Sequence, residues 1–168
     1  MSFIDSVKSA LPDYAKEAKL NLDAVLLRST LDLDEAMGCA VAALAATGNG
    51  KLLSVLLADA PVESNAAMTA ASLMAQNNVW YPYIEMAKDP ALAGLPALLR
   101  MNAIVTHGGT TKARFEAYSL AASIVGKCHF CVKTHYETLK IEGYSLLQLR
   151  DIGRIAAVMN SVAKVLNS

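Results

Sequence analysis

The sequence is poor in aromatic residues and carries no excess of charge of either sign. Aromatic residues make up 6% of its 168 residues although hydrophobic residues make up 54%, so the apolar content is mostly alanine, leucine, valine, isoleucine and methionine. Fifteen basic residues balance fifteen acidic ones and no basic cluster stands out, which argues against nucleic acid or an anionic membrane as a partner. A low net charge with a high apolar content also suggests that apolar surface is buried between subunits.

We expect neither a secretory signal nor a membrane-spanning segment, because no uninterrupted apolar run of the needed length is present. The start of the sequence, residues 1–10, carries Asp5 and has no apolar core segment. The most apolar stretch, residues 36–60, is interrupted at residues 48–51 and predicts two buried helices joined by a turn. We therefore expect a cytoplasmic protein, in which cysteines are normally kept reduced. A CxxC pair in that setting indicates catalysis or metal binding rather than a static crosslink.

No segment has the convincing alternation of a β-strand, whereas every long segment has helical periodicity. We predict an all-α fold in a single domain over residues 1–168. A broken connector is expected around the prolines at 82, 90 and 96. The expected helices cover residues 12–29, 34–46, 51–58, 64–80, 113–125 and 128–141, with Ser64 capping the fourth and Ser145 capping a last helix.

A weak internal repeat links the two halves of the chain. Shifting the sequence by 81 residues aligns Glu35 with Glu116, and the turn at residues 48–50 with a turn that carries two cysteines. We interpret this pattern as two helical units, at about residues 31–80 and 112–161. Only the second unit carries the cysteine pair, so the repeated fold does not itself require thiols at that turn.

The most informative residues form the pattern E-x11-C-x-x-C-x3-H, which runs from Glu116 through Cys128 and Cys131 to His135. On a helix with about 100° between successive residues, Cys128, Cys131 and His135 project within an arc of about 60°. A base therefore stands beside a pair of thiols, as dithiol redox chemistry requires. We expect Glu116, on the preceding helix, to orient His135 in a Glu-His-Cys relay.

These residues do not by themselves identify the nucleophile. Cys128 lies at a helix start, where unpaired N–H groups and the helix dipole favour a thiolate, whereas Cys131 lies one turn before the base His135. A zinc site and an inert pair are the alternatives to redox chemistry. Zinc is disfavoured because a structural site needs four ligands and the sequence has no second CxxC or HxxxH.

Three other residues of the same types have simpler interpretations. Cys39 lies among alanines and valine and is expected to be an inert core thiol. His107 and His129 are expected to be surface or packing histidines.

Residues 100–135 resemble the AhpD alkylhydroperoxidases of the carboxymuconolactone decarboxylase superfamily. The matching parts are R-M-N at 100–102, K-A-x-F-E at 112–116 and C-x-x-C-x3-H at 128–135, and the helical layout extends the resemblance over most of the chain. AhpD proteins are all-helical, are built from a duplicated helical unit and assemble as trimers. The resemblance therefore implies a homotrimer.

The resemblance also implies roles for the site residues. Cys131 would become a sulfenic acid, Cys128 would donate a proton and then close the Cys128–Cys131 disulfide, and His135 and Glu116 would relay protons. No cofactor would be bound, since the electrons come from dihydrolipoyl groups on the acyltransferase subunit of a 2-oxoacid dehydrogenase complex. The dithiol would in turn reduce the peroxiredoxin AhpC through a mixed disulfide at Cys131, with weak direct hydroperoxide reduction besides.

One position departs from the family pattern. Phe130 stands where well-known members have a histidine before the second cysteine, and His129 follows the first cysteine instead. One residue turns a helix by about 100°, so His129 does not replace that histidine without a change in local geometry. Two other functions are kept as alternatives: a redox-sensing or binding module whose disulfide does not turn over, and an enzyme like the superfamily's lactone decarboxylases, which lack this cysteine pair.

Overall fold

Helices account for all the regular secondary structure in the computed structural model, which describes residues 2–59 and 61–167. Within those residues there is no β-strand, which confirms the all-α prediction, and no helix is long and apolar enough to cross a membrane. Two 3₁₀ turns lie at Asp13–Ala15 and His107–Gly109. The α-helices are α1 (Phe3–Ala10), α2 (Lys16–Leu26), α3 (Leu33–Thr47), α4 (Gly50–Ala58), α5 (Ser64–Ala87), α6 (Pro90–Ala93), α7 (Ala103–Thr106), α8 (Lys112–Gly126), α9 (His129–Ile141) and α10 (Leu146–Val165).

The core is built around α3 and α8, which pack along each other. Residues 39–44 of α3 and 117–123 of α8 are buried almost without interruption, and most of them are alanine or another small residue. Small side chains let the two helices approach closely. A Cβ atom on Gly38 would lie 2.4 Å from the Tyr118 ring, so glycine is needed where α3 meets that ring. Helix α5 packs on α8, and α10 packs on α3.

Side-chain caps fix where several helices begin. Ser145 caps α10 as expected, and Gln148 completes a capping box with it. The expectation for Ser64 was wrong, because its hydroxyl donates to the carbonyl of Pro61 and Glu63 occupies the cap position of α5 without a side-chain hydrogen bond.

Helix α5 continues beyond its expected end at Trp80, passes through Pro82 and reaches Ala87. Proline removes one backbone hydrogen bond and disfavours a helix interior, which is why the sequence predicted an end here. Next to Pro82, α5 also makes a tertiary contact that favours the helix: the Tyr81 ring stacks on Phe130 of α9, with 4.1 Å between ring centroids. Helix α1 was not predicted and packs into the core through Phe3 and Val7.

The helix bounds do not follow one constant repeat offset. From α3 to α8, and from α4 to α9, the first residue moves by 79 positions (33 to 112 and 50 to 129), whereas from α5 to α10 it moves by 82 (64 to 146). The expected shift of 81 residues placed Thr47 and Gly50 at the cysteine positions. When the helices are aligned by their first residues instead, Asn49 corresponds to Cys128, because Asn49 caps α4 and Cys128 caps α9. The division into two repeated units stays a prediction, as does the single domain over residues 1–168.

Candidate active site

The turn between α8 and α9 places Cys128 at the start of a helix. Helix α8 ends at Gly126, and its C-cap Lys127 has a left-handed backbone (φ 56°) that reverses the chain direction. Cys128 follows in an extended conformation as the N-cap of α9, and its Sγ accepts a hydrogen bond of 3.2 Å from the backbone N–H of Cys131. A sulfur in this place receives the unpaired N–H groups of the first turn and the positive end of the helix dipole, both of which stabilise a thiolate.

Cys128 and Cys131 are joined by a disulfide, with their Cα atoms 5.3 Å apart. The two sulfurs differ in their surroundings. Cys128 is fully buried, with its Sγ 3.8 Å from the carbonyl oxygen of Asn77 on α5, whereas Cys131 is 2% exposed and borders a cavity. A small molecule entering that cavity therefore meets Cys131.

Glu116 and His135 face each other between α8 and α9. The Nδ1 atom of His135 lies 2.6 Å from Oε2 of Glu116, and both side chains are largely buried, with 12% and 14% of their surface exposed. The short turn at Lys127 makes the two helices antiparallel neighbours, which brings residues 19 positions apart into contact. The structure thus brings together the carboxylate and imidazole that the sequence expected to form a relay.

The cavity beside this pair has a volume of about 210 Å³. Its polar wall contains Cys131, His135 and Glu116, and its apolar wall comes largely from α5, α7 and the first turn of α9. The stacked rings of Tyr81 and Phe130 lie on the apolar side. An apolar wall facing a thiol and a base is suited to a substrate with a small reactive head and an apolar body. The apolar wall includes Met74, Tyr81, Ile104 and Phe130.

Met74 is a site residue that the sequence did not reveal. Its thioether Sδ lies 3.1 Å from Nε2 of His135, and the residue is 1% exposed. The sequence shows only an apolar position on a long helix at 74, which is the ordinary signature of a core methionine. Only the packing of α5 across α9 places it against the imidazole.

The remaining histidine and cysteine candidates lie outside the cavity wall. His129 is mostly exposed, and its Nδ1 lies 3.1 Å from a carboxylate oxygen of Glu85. His107 packs against the ring of Phe115. Cys39 is fully buried in α3, where burial first, and then the nearby negative charges of Glu35 and Asp32, raise the pKa of its thiol. Among residues 2–59 and 61–167, no three His, Cys, Asp or Glu side chains group as a metal site requires.

Comparison with known proteins gives a family match and full-length relatives. Residues 90–168 match the carboxymuconolactone decarboxylase family. The chain is 39% identical to an alkyl hydroperoxide reductase AhpD of Maricaulis maris, over 97% of this chain and 96% of the relative. It is also 39% identical to the AhpD of Coxiella burnetii strain Dugway, over 96% of each chain, and 40% identical to that of Anaeromyxobacter dehalogenans strain 2CP-C, over 99% of this chain and 91% of the relative.

Proposed function

The chain belongs to the AhpD family of the carboxymuconolactone decarboxylase superfamily, and we propose that it is an antioxidant dithiol oxidoreductase that reduces alkyl hydroperoxides. One observation carries the proposal: Cys131, His135 and Glu116 border one cavity, and Cys128 is bonded to Cys131 directly behind that wall. Nucleophile, base and orienting carboxylate are then within reach of one substrate. The relatives named alkyl hydroperoxide reductase support the same class of reaction.

In the oxidative half-reaction, the Cys131 thiolate attacks the terminal oxygen of the hydroperoxide. An S–O bond forms, the O–O bond breaks, and the alkoxide leaves as an alcohol with a proton from His135. Cys131 is thereby oxidised to a sulfenic acid. Cys128 passes its thiol proton to the imidazole and attacks the Cys131 sulfur, which closes the disulfide, releases hydroxide to the solvent and leaves the imidazole protonated.

The position of the two sulfurs relative to the cavity supports this division of roles. Cys131 borders the cavity and lies on the same helix as its base, whereas Cys128 is fully buried and accepts the N–H of Cys131. A resolving thiol needs no access to the hydroperoxide, but it gains from a helix N-terminus that stabilises its thiolate.

In the reductive half-reaction, two dihydrolipoyl thiols return the electrons. The first loses its proton to the solvent, attacks Cys131, the cavity-lining sulfur, and releases Cys128 as a thiolate at the helix start. The second donor thiol likewise loses its proton to the solvent, displaces Cys131 and closes the donor disulfide. We propose that the lipoylated acyltransferase subunit supplies these thiols, that the reduced pair passes electrons to AhpC through a mixed disulfide at Cys131, and that the protein works as a cytoplasmic homotrimer.

The experiment that tests this proposal is hydroperoxide turnover with dihydrolipoamide, thioredoxin or glutathione as donor, with and without a partner peroxiredoxin. We expect turnover with dihydrolipoamide alone among these donors, faster transfer when AhpC is present, and loss of both in Cys131→Ser. Cys39→Ala is the matched control, because it removes a thiol that does not border the cavity.

Two results would contradict the proposal. Absence of turnover with every donor, together with a large conformational change on oxidation, would indicate a redox-sensing module. Lactone decarboxylation that survives removal of both Cys128 and Cys131 would indicate the decarboxylase chemistry of the wider superfamily.

A further inference from the structure

His135 has a partner on each ring nitrogen while the disulfide is closed. Nδ1 faces the Glu116 carboxylate at 2.6 Å, and Nε2 faces the Met74 thioether at 3.1 Å. A thioether sulfur can accept a hydrogen bond but has no hydrogen to donate. The contact with Met74 is therefore a hydrogen bond only when Nε2 carries a proton, since an unprotonated Nε2 would direct its lone pair at those of the sulfur.

The contact with Glu116 decides whether Nδ1 of His135 also carries a proton. A carboxylic acid is intrinsically a stronger acid than an imidazolium, so the proton between Nδ1 and Oε2 belongs to the ring. The other titratable groups around the ring are Cys131, which is held in the disulfide, and Tyr81, which borders the same cavity. Lys112, one turn before Glu116 on α8, pairs with Glu142 at the end of α9. Both ring nitrogens then carry hydrogen, and the acceptors are one carboxylate and one thioether.

We infer that Met74 is a positioning residue that keeps His135 doubly protonated in the disulfide state and so stores the proton that Cys131 needs on reduction. The storage role rests on the proposed function. When the second donor thiol breaks the bond between the donor and Cys131, the electron pair goes to the Cys131 sulfur. The Nε2–H group then turns from Met74 to that sulfur and delivers its proton, and the donor leaves as a disulfide.

The direct test is ¹⁵N nuclear magnetic resonance of the histidine rings in the oxidised protein, where no donor or hydroperoxide is needed. The sequence has three histidines, and His135→Phe assigns the signals of interest. In the wild type at neutral pH, we expect both nitrogens of His135 to be protonated. At the same pH, Met74→Leu, which keeps the volume and removes the acceptor, should show an unprotonated Nε2 in a larger fraction of the molecules while Nδ1 stays protonated.

Met68→Leu is the matched control, because Met68 lies on the same helix α5 but borders a different cavity. Its His135 spectrum should equal that of the wild type. A wild-type His135 with an unprotonated Nε2 at neutral pH, or the same titration in wild type and Met74→Leu, would overturn the inference. Circular dichroism of both leucine variants checks that the helices are retained.

A second readout separates this inference from the proposed function. The pH profile of disulfide reduction by dihydrolipoamide should have a descending limb that lies at lower pH in Met74→Leu than in the wild type or Met68→Leu. The expected spectra without any hydroperoxide turnover would support the Met74 contact and contradict the proposed function. If the protein turns over hydroperoxide but the descending limb lies at the same pH in Met74→Leu as in the wild type, the result supports the proposed function and contradicts the storage role.

Discussion

At the scale of single residues, the Glu116 carboxylate combines two effects, orientation of the His135 ring and a negative charge beside it. Glu116→Gln keeps an oxygen that accepts from Nδ1 but removes the charge that favours a protonated ring. We expect the rate of hydroperoxide-dependent disulfide formation to fall by about tenfold or more, with the helical circular dichroism unchanged.

Glu85→Gln is the control for that substitution. Glu85 is an exposed carboxylate that also contacts a histidine, His129, but outside the cavity wall. Equal losses of rate in the two variants, or a loss of helical structure in Glu116→Gln, would contradict the relay role of Glu116.

Cys39 tests the opposite expectation, that a cysteine in this chain is inert. Burial raises the pKa of its thiol, and the nearby charges of Glu35 and Asp32 raise it further, so little thiolate forms near neutral pH. In the reduced, folded protein at pH 8, we expect iodoacetamide to alkylate Cys131 and to leave Cys39 unmodified until guanidinium unfolds the chain. Peptide mass spectrometry measures this, and modification of Cys39 in the folded protein would show that α3 opens readily.

At the scale of elements, Asp151 ties α10 to the loop between α2 and α3. Burial alone would raise the pKa of Asp151, but hydrogen bonds from the Thr30 backbone, Arg154, the Thr30 hydroxyl and Arg150 outweigh it and lower the pKa to about 2. A carboxylate whose pKa is depressed in the folded state stabilises that state above its unfolded pKa of about 3.9, and the stabilisation is lost as the pH falls towards 2.

We therefore expect Asp151→Asn to lower the free energy of unfolding at pH 7 by roughly 1 to 2 kcal/mol. The difference from the wild type should shrink as the pH is lowered from about 4 to 2, because protonation removes the same charge from the wild type. Urea unfolding at several pH values measures both. A difference that stays constant over this range would mean that the carboxylate charge is not what joins the two elements.

Two glycine substitutions in helices should have opposite effects, because Gly38 lies where α3 closely approaches α8 and Gly153 lies in open space on α10. Gly38→Ala adds a Cβ 2.4 Å from the Tyr118 ring, and we expect a loss of about 1 to 3 kcal/mol in the free energy of unfolding. Gly153→Ala on α10 adds a Cβ that meets no atom within 4 Å outside its own neighbouring helix backbone, and alanine's helix propensity should give a gain of up to about 1 kcal/mol. Urea denaturation compares them, and a gain in both variants would show that α3 and α8 can separate at little cost.

At the scale of the whole molecule, local signals predicted the longer helices and singled out the CxxC motif, but not the packing that completes the candidate site. Ser145 and the CxxC spacing act through residues three or four positions away, so their consequences can be predicted from the sequence alone. The contacts of Met74 with His135 and of Tyr81 with Phe130 join α5 to residues of α9 more than 45 positions away, which no local signal reveals. No periodicity within α5 distinguishes a methionine beside the cavity-lining His135 from any other core methionine.

The C-terminal part of α5 also has an exposed apolar face that suggests how the subunits assemble. Val79, Tyr83 and Met86 recur at the spacing of one helix face, and all three are exposed in the single chain. Such a face normally packs against another protein surface, and the proposed homotrimer supplies a second copy of this chain. Tyr81, which lies on the same stretch of helix, borders the candidate active-site cavity, so assembly through this face would place a second subunit beside that cavity.

We therefore expect light scattering to report a trimer for the wild type and a smaller species for the double variant Val79→Glu and Met86→Glu, because buried charges on this face would have no partners. Leu20→Glu, at an exposed leucine on α2, is the control and should remain trimeric. If the double variant dissociates, its hydroperoxide turnover should fall as well, since the part of α5 that carries Tyr81 loses its neighbouring subunit. A wild type that is monomeric at micromolar concentration, or a double variant that remains trimeric, would mean that this face of α5 does not join the subunits.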